Sequence, residues 1–384
     1  MQEYFEFTLG SRVLYKSGIA RELGQVVADL GAQRAFVVAD KGVVAAGLLA
    51  PVLNGLERNV VVAGVYDNVP ANSSLDTVNE AAAAAREAQA DILIAVGGGS
   101  PIDTAKGMRI ILTLGGSVPD YEGYNVIGQP LMPMIAVPTT AGTGSEVTAI
   151  AVIKDEAEGR KISIVSRYIV PDLAVLDPEL TLTLPPRLTA ATGMDALSHA
   201  VETYVSTENN PFSDSLALAA IDSVANHLRD AVQEGNNLEP RSQMLIASCM
   251  AGIAFSNSLL GVVHALAHAI GGKYPVHHGT LNSIILPFGM EYNAPIAPER
   301  YVRIARAMGV NAGGRSDEEV IADGISAVRR LAADCALPLR LRDVEVPEQA
   351  LPELASLAIV EAAIFNNPRV ATEGELLELL RAMW

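Results

Sequence analysis

The chain has little cysteine, a shortage of basic residues, and no basic apolar leader at its start, and each shortage removes a class of function. Its two cysteines, Cys249 and Cys335, stand far apart in apolar helical surroundings. A disulfide framework needs more of them, so both read as buried free thiols in a reducing compartment. Lysine and arginine total 27 against 44 aspartates and glutamates, a formal charge of −17. Nucleic acids and anionic membranes are held by clustered cations, so neither is an expected partner. The opening MQEYFEFTLG has acids where a secretory signal carries bases, and it lacks an apolar core; a cytoplasmic location is expected. Residues 242–272 contain no Asp, Glu, Lys or Arg, a length able to span a bilayer. The same stretch carries Ser248, Ser256, Asn257, Ser258, His264 and His268, which suits buried helices lining a site better than a lipid-facing span. No internal repeat and no low-complexity segment is present.

What remains is a chain of 384 residues, half of them hydrophobic, too long for one ordinary core and best divided into two domains. In the first part, RAFVVAD, NVVVAGVYD, DILIAVG and PMIAVPT read as buried strands, and residues 19–30, 74–88 and 101–114 have helical spacing. Such alternation predicts an α/β domain over residues 1–184 with a mostly parallel sheet. From Pro185 and Pro186 onward, Ala/Leu-rich helical patterns replace the β-branched runs. An all-helical domain over residues 185–384 is expected.

The dinucleotide fingerprint GxGxxG and the P-loop ending GKS or GKT are missing from the most glycine-rich junction, DILIAVGGGSPIDTAKG. The junction still runs from a strand through Gly97, Gly98 and Gly99 into a helix that Ser100 can cap, with Pro101 in its first turn and Asp103 three residues beyond the cap. Free backbone N–H groups and the positive end of the helix dipole would then face an anion, and absent side chains let a pyrophosphate approach. A second polar turn, PTTAGTGSEVT, offers Thr139, Thr140, Thr143 and Ser145 for ribose, phosphate or a carboxamide. Asp40 ends a strand where a carboxylate can accept from a ribose 2′-hydroxyl and repel a 2′-phosphate, which favours NAD over NADP.

Five of the six histidines fall in two stretches, GMDALSHAVET and GVVHALAHAIGGKYPVHHG. Asp195 and His199 are four residues apart and share a helix face; His264 and His278 can complete a cage for a divalent metal. A closed structural zinc site usually includes cysteine, and neither cysteine lies near these histidines in sequence.

At this point the chain resembles the iron-containing, group III alcohol dehydrogenases. The resemblance rests on GGGSPIDTAKG, PTTAGTGSEVT, GMDALSHAVETYVS, AGIAFSNSLLGVVHALAHAIGG and HHGTLNSIILP, in family order and spacing over nearly the whole chain. It implies a dinucleotide-binding first domain and a metal-binding, catalytic second domain. It implies Asp195, His199, His264 and His278 as metal ligands, His278 being chosen over His277 because the family ligand precedes a glycine. His268 matches a histidine near the substrate and is the expected catalytic group, a proton relay. Asp40, Gly97, Gly98, Gly99, Ser100, Thr139, Thr140, Thr143 and Lys161 match cofactor contacts, and Asp103 is counted with them. Ile150, Ala151 and Phe255 align with the substrate pocket, expected to be small and largely apolar.

The implied cofactors are NAD, with NADP as the alternative, and Fe²⁺, with Zn²⁺ or Mn²⁺ as alternatives, since imidazole and carboxylate suit both iron and zinc. The implied activity is hydride exchange between nicotinamide and a small primary alcohol or aldehyde, in a homodimer or larger homo-oligomer. Alternatives are a relative like glycerol dehydrogenase or dehydroquinate synthase, or a noncatalytic dinucleotide sensor.

Overall fold

RAFVVAD, DILIAVG and PMIAVPT become strands buried on both faces, whereas NVVVAGVYD, expected as buried, becomes an edge strand that is largely exposed or half-buried because it has a neighbour on one side only. In the computed structural model, which describes residues 4–384, the strands are β1 (Arg12–Tyr15), β2 (Arg34–Asp40), β3 (Val61–Val69), β4 (Ile92–Gly97), β5 (Gly123–Tyr124), β6 (Met134–Pro138), β7 (Ile150–Asp155), β8 (Arg160–Val165) and β9 (Leu173–Leu176). Six of them form a sheet in the order β1-β9-β6-β4-β2-β3, with every neighbouring pair parallel. β5, β8 and β7 make a separate small sheet. Successive residues of a strand point to opposite faces, and the core divides accordingly. Phe36, Val38, Leu93, Ala95, Met134 and Ala136 pack on one face, while Ala35, Val37, Ile92, Ile94, Ile135 and Val137 pack on the other.

Helices α1 (Leu23–Asp29), α2 (Lys41–Ala45), α3 (Leu49–Leu56), α4 (Leu75–Glu87) and α5 (Gly99–Leu114) connect these strands. The stretch expected as one helix over 19–30 instead opens with a 3₁₀ turn, Ile19–Glu22. α4 matches its expectation closely, because Ser74 accepts from the Thr77 N–H and caps it. The parallel order has one functional consequence. β2, β4 and β6 are neighbours, so their carboxyl ends, and the loops that follow, lie side by side.

From Leu184 onward the described residues contain no strand. The helices are α6 (Pro186–Val205), α7 (Pro211–Gln233), α8 (Leu238–Ser256), α9 (Val262–Lys273), α10 (His278–Asn293), α11 (Pro298–Ala307), α12 (Asp317–Asp334), α13 (Leu351–Ala358) and α14 (Glu373–Met383). α6 is buried without interruption from Thr189 to Val205, the mark of a central helix. It packs against α7, α8 and α10. The uncharged stretch supplies α8 and α9, separated by a turn in which Leu259 takes φ 61°. No helix among the described residues is long and apolar enough to cross a membrane.

Two compact units result, Thr8–Thr183 and Leu184–Trp384, the latter also including residues 4–7. Phe7 stacks on Phe212 of α7 with ring centroids 5.1 Å apart, which explains why the start of the chain belongs with the helical unit. Cys249 and Cys335 are both buried and form no disulfide with each other.

Candidate functional site

In the α/β unit the glycine loop is shaped by its neighbours. Gly97 ends β4 with φ 150°, a conformation that favours glycine. A Cβ on Gly97 would lie 2.6 Å from Pro101 Cγ and 3.3 Å from Asp40 Oδ2; one on Gly98 would lie 3.1 Å from Thr140 Oγ1; one on Gly99 would lie 3.1 Å from Thr143 Cγ2. The Thr139 N–H donates to Gly97 O at 3.0 Å. The structure therefore gathers Asp40, the three glycines, Thr139, Thr140 and Thr143 at one edge of the sheet. Asp40 caps α2 by accepting from Val43 N–H at 2.8 Å.

Two details differ from the sequence expectation. The N-cap of α5 is Gly98 and not Ser100, and no side chain caps that helix. Ser100 lies inside the first turn, where its hydroxyl accepts from Asn72 N–H at 3.1 Å. The reason is that the glycines begin the helix two residues early, which leaves its first amides without a side-chain acceptor. Asp103 is turned inward and accepts from Ser145 Oγ at 2.7 Å and Val152 N–H at 3.0 Å. It ties α5 to the second polar turn rather than presenting its carboxylate to solvent.

Lys106, which the sequence reading did not single out, completes that tie. Fully buried, its ammonium donates to Ser145 Oγ, Thr148 Oγ1, Thr148 O and, at 2.7 Å, Ile150 O. Burial lowers its pKa to about 8, against the attraction of Asp103 and Glu146. Burial likewise raises Glu146 to about 7, and its Oε1 has no hydrogen-bond partner. Ile150 is half-buried at the start of β7, whereas Ala151 is fully buried in the sheet core. Lys161 is exposed on β8 of the small sheet, opposite Lys154.

In the helical unit, Asp195 and His199 of α6 and His264 of α9 bring one donor atom each to within 4.8 Å of one another. His278, the first residue of α10, places Nε2 3.6 Å from Asp195 Oδ1. The His199 ring stacks on His264 at 4.6 Å and on Phe255 of α8 at 4.5 Å, so Phe255 walls one side of the cluster. His268 stacks on His278 at 5.3 Å, and its Nδ1 is 3.4 Å from Glu361 Oε2. It is His278, not His277, whose ring meets His264 and His268. His277 occupies the N-cap position of α10.

Two residues absent from the expected set organise this cluster. The Glu202 carboxylate lies 2.5 Å from His264 Nδ1, which assigns the ring proton to Nδ1 and leaves the Nε2 lone pair toward Asp195. Asn282 Nδ2 donates to Asp195 Oδ1 at 2.6 Å and lies 3.1 Å from both His264 Nε2 and His278 Nε2. An amide carries two hydrogens, yet a carboxylate oxygen and two ring nitrogens converge on it. The local chemistry is acceptor-rich and fits a divalent cation. A signal for both was present: Glu202 is seven residues after Asp195 and Asn282 four after His278, one helix face in each case.

Electrostatics agree with that fit. Burial holds the pKa values of His264 and His278 well below the usual histidine value. Burial opposes ionisation of Asp195, while any positive charge on the neighbouring histidines and the Asn282 amide, donating to Oδ1 at 2.6 Å, hold the carboxyl below its usual value. Neutral imidazoles and an ionised carboxylate are the states that bind metal.

Models of the Fe-containing alcohol dehydrogenase family match residues 10–178 and, for its C-terminal part, 189–384. The chain belongs to the iron-containing alcohol dehydrogenases. Among its relatives, a 1,3-propanediol dehydrogenase of Klebsiella pneumoniae is 41% identical over 354 residues, 92% of each chain. The lactaldehyde reductase of Escherichia coli K12 is 37% identical over 378 residues, 98% of each. A crystal structure of 1,3-propanediol oxidoreductase superposes with a TM-score of 0.97 at 38% identity over 100% of both chains. A sulfoacetaldehyde reductase from Bifidobacterium kashiwanohense, solved with NAD⁺, gives 0.90 at 28% identity over 100% of this chain and 99% of that one. This alcohol dehydrogenase is an NAD-linked, iron-type oxidoreductase acting on CH–OH donors and interconverting alcohols and aldehydes.

Two outcomes follow from the packing. A Cβ on Gly279 would overlap the Ala191 carbonyl oxygen of α6 and stand 3.2 Å from Asp195 Cβ. Gly279→Ala is expected to push α10 from α6, cost about 1–3 kcal/mol of stability and weaken metal retention, read by urea unfolding and by metal content after dialysis. Glu146 keeps its proton in the folded chain to about pH 7, against 4.5 for an ordinary glutamate. Its contribution is complete below the unfolded value and lost as pH rises through the folded one. Glu146→Gln, which does not titrate, is expected to gain about 2–3 kcal/mol on the wild-type protein across that window, measured by urea unfolding at its two ends.

Proposed function

We propose that the enzyme reduces short aldehydes to primary alcohols with NADH and carries out the reverse oxidation with NAD⁺, using iron. The observation that carries this reading is that Asp195, His199 and His264 each bring one donor atom to within 4.8 Å of one another, with His278 Nε2 3.6 Å from Asp195 Oδ1. Asp195, His199, His264 and His278 would hold the ion, with Zn²⁺ or Mn²⁺ as its substitutes. Such a cation acts as a Lewis acid toward an alcohol or carbonyl oxygen. The nicotinamide supplies or accepts the hydride.

The remaining work falls to side chains. Phe255, packed on His199, shields the reacting carbon from water and favours a short apolar substrate. His268 is partly exposed, with Nδ1 toward Glu361; its Nε2 passes a proton between the substrate oxygen and solvent. Residues 1–184 serve as the dinucleotide-binding domain and 185–384 as the metal-binding, catalytic one. Uncapped amides at the start of α5 take the pyrophosphate, with Ser100, Thr139, Thr140, Thr143 and Lys161 around the rest of the cofactor and Asp103 acting through Ser145. Asp40 accepts from the adenosine ribose and repels a 2′-phosphate. Two buried cysteines that are not paired in a disulfide fit a cytoplasmic enzyme, and a homo-oligomer is the expected assembly.

The deciding experiment follows NADH oxidation with short aldehydes in metal-stripped protein reloaded with Fe²⁺ or Zn²⁺. Turnover is expected to return with metal in the wild-type protein and not in His264→Ala; no turnover with any aldehyde, metal and NADH both bound, rejects the proposal. Asp40→Gly is expected to shift the kcat/KM ratio of NADP to NAD upward about tenfold, equivalent to roughly 1.4 kcal/mol of repulsion removed.

A further inference from the structure

Asp195, His199 and Glu202 form one stripe of α6, spaced four and three residues apart, and face the same side. The first two bring donor atoms to the metal cluster, while Glu202, 3% exposed, turns to the start of α9. Its Oε1 accepts from Val263 N–H at 2.7 Å; its Oε2 accepts from His264 N–H at 3.3 Å and meets His264 Nδ1 at 2.5 Å. α9 has no side-chain cap of its own, since its N-cap is Gly261. A Cβ there would stand 2.7 Å from Asn367 Oδ1 and 3.0 Å from Glu202 Oε1. Asn367 Oδ1 accepts from Val262 N–H at 3.1 Å. The first turn of α9 is thus capped from outside, by an amide that touches only backbone at that turn and by a carboxylate that also grips the imidazole.

We propose that Glu202 is the positioning residue of the metal centre, fixing His264 through its backbone and its Nδ1–H together. This rests on the metal-centre reading above. A carboxylate suits the site because backbone N–H groups donate to both of its oxygens, whereas a glutamine would set its own N–H groups against one of the donors. Aspartate is one methylene too short to reach from α6. Holding Nδ1–H fixes the tautomer and the ring plane, so the Nε2 lone pair is presented before the ion arrives.

The test is titration of the metal-stripped, full-length protein with Co²⁺, reading its visible absorption bands and its affinity against a competing chelator. Glu202→Gln is expected to weaken Co²⁺ binding about 10–100-fold and to change the bands. Asn367→Ala, which removes a cap without touching the imidazole, is expected to lower the melting temperature of the metal-free protein while keeping wild-type affinity and bands. Should Glu202→Gln fail to fold, Glu202→Asp, which withdraws the carboxylate by one methylene, is read in the same way. Wild-type affinity and bands in the Glu202 variant, or an equal loss in Asn367→Ala, overturn the inference. A wild-type protein that binds no Co²⁺ overturns the metal-centre reading itself and this inference with it.

Discussion

Removing a carboxylate from water costs several kcal/mol unless charge and hydrogen bonds offset it, and this constraint governs the helical unit around Asp195. The side chain is buried at the middle of α6, the helix against which α7, α8 and α10 pack. Imidazoles from α6, α9 and α10 and the Asn282 amide supply the offset. Gly279 allows α10 close enough to α6 to do so. A cation in the same place offsets the carboxylate's charge directly, so the arrangement that stabilises the buried acid is also the one that binds a Lewis acid.

The α/β unit uses a different principle for a different ligand. Its sheet brings β2, β4 and β6 to adjacent positions, and the loops at their carboxyl ends carry few side chains or short hydroxylated ones. Close contact of the glycines with Asp40, Thr140 and Thr143 leaves backbone amides as the main binding groups. The buried Lys106 and Asp103 behind them tie the second polar turn to α5, so the loops are held by interior charge while their outward faces stay available.

Much of this was legible in the residues. Continuous apolar runs located β2, β4 and β6 closely, because strands buried on both faces carry no polar alternation to confuse the period. β1 and β9, four residues each, gave too short a run to read. The loss of strand patterns after Pro185 marked the start of the helical unit. Among site residues, histidine clustering exposed the donors, but Glu202 and Asn282 passed unnoticed inside quoted motifs, since a carboxylate or amide on a helix is ordinarily solvated.

The sequence alone determined which groups can do chemistry, their spacing along each helix, the glycines that permit close approach, and the family. Those are local properties, set by side-chain type and helical period. Tertiary structure decided that the α5 helix begins at Gly98, that Asp103 faces inward, that His278 and not His277 meets the other rings, and that Glu202 holds His264. Each of these depends on which element packs against which, a relation between residues tens of positions apart that no local period encodes.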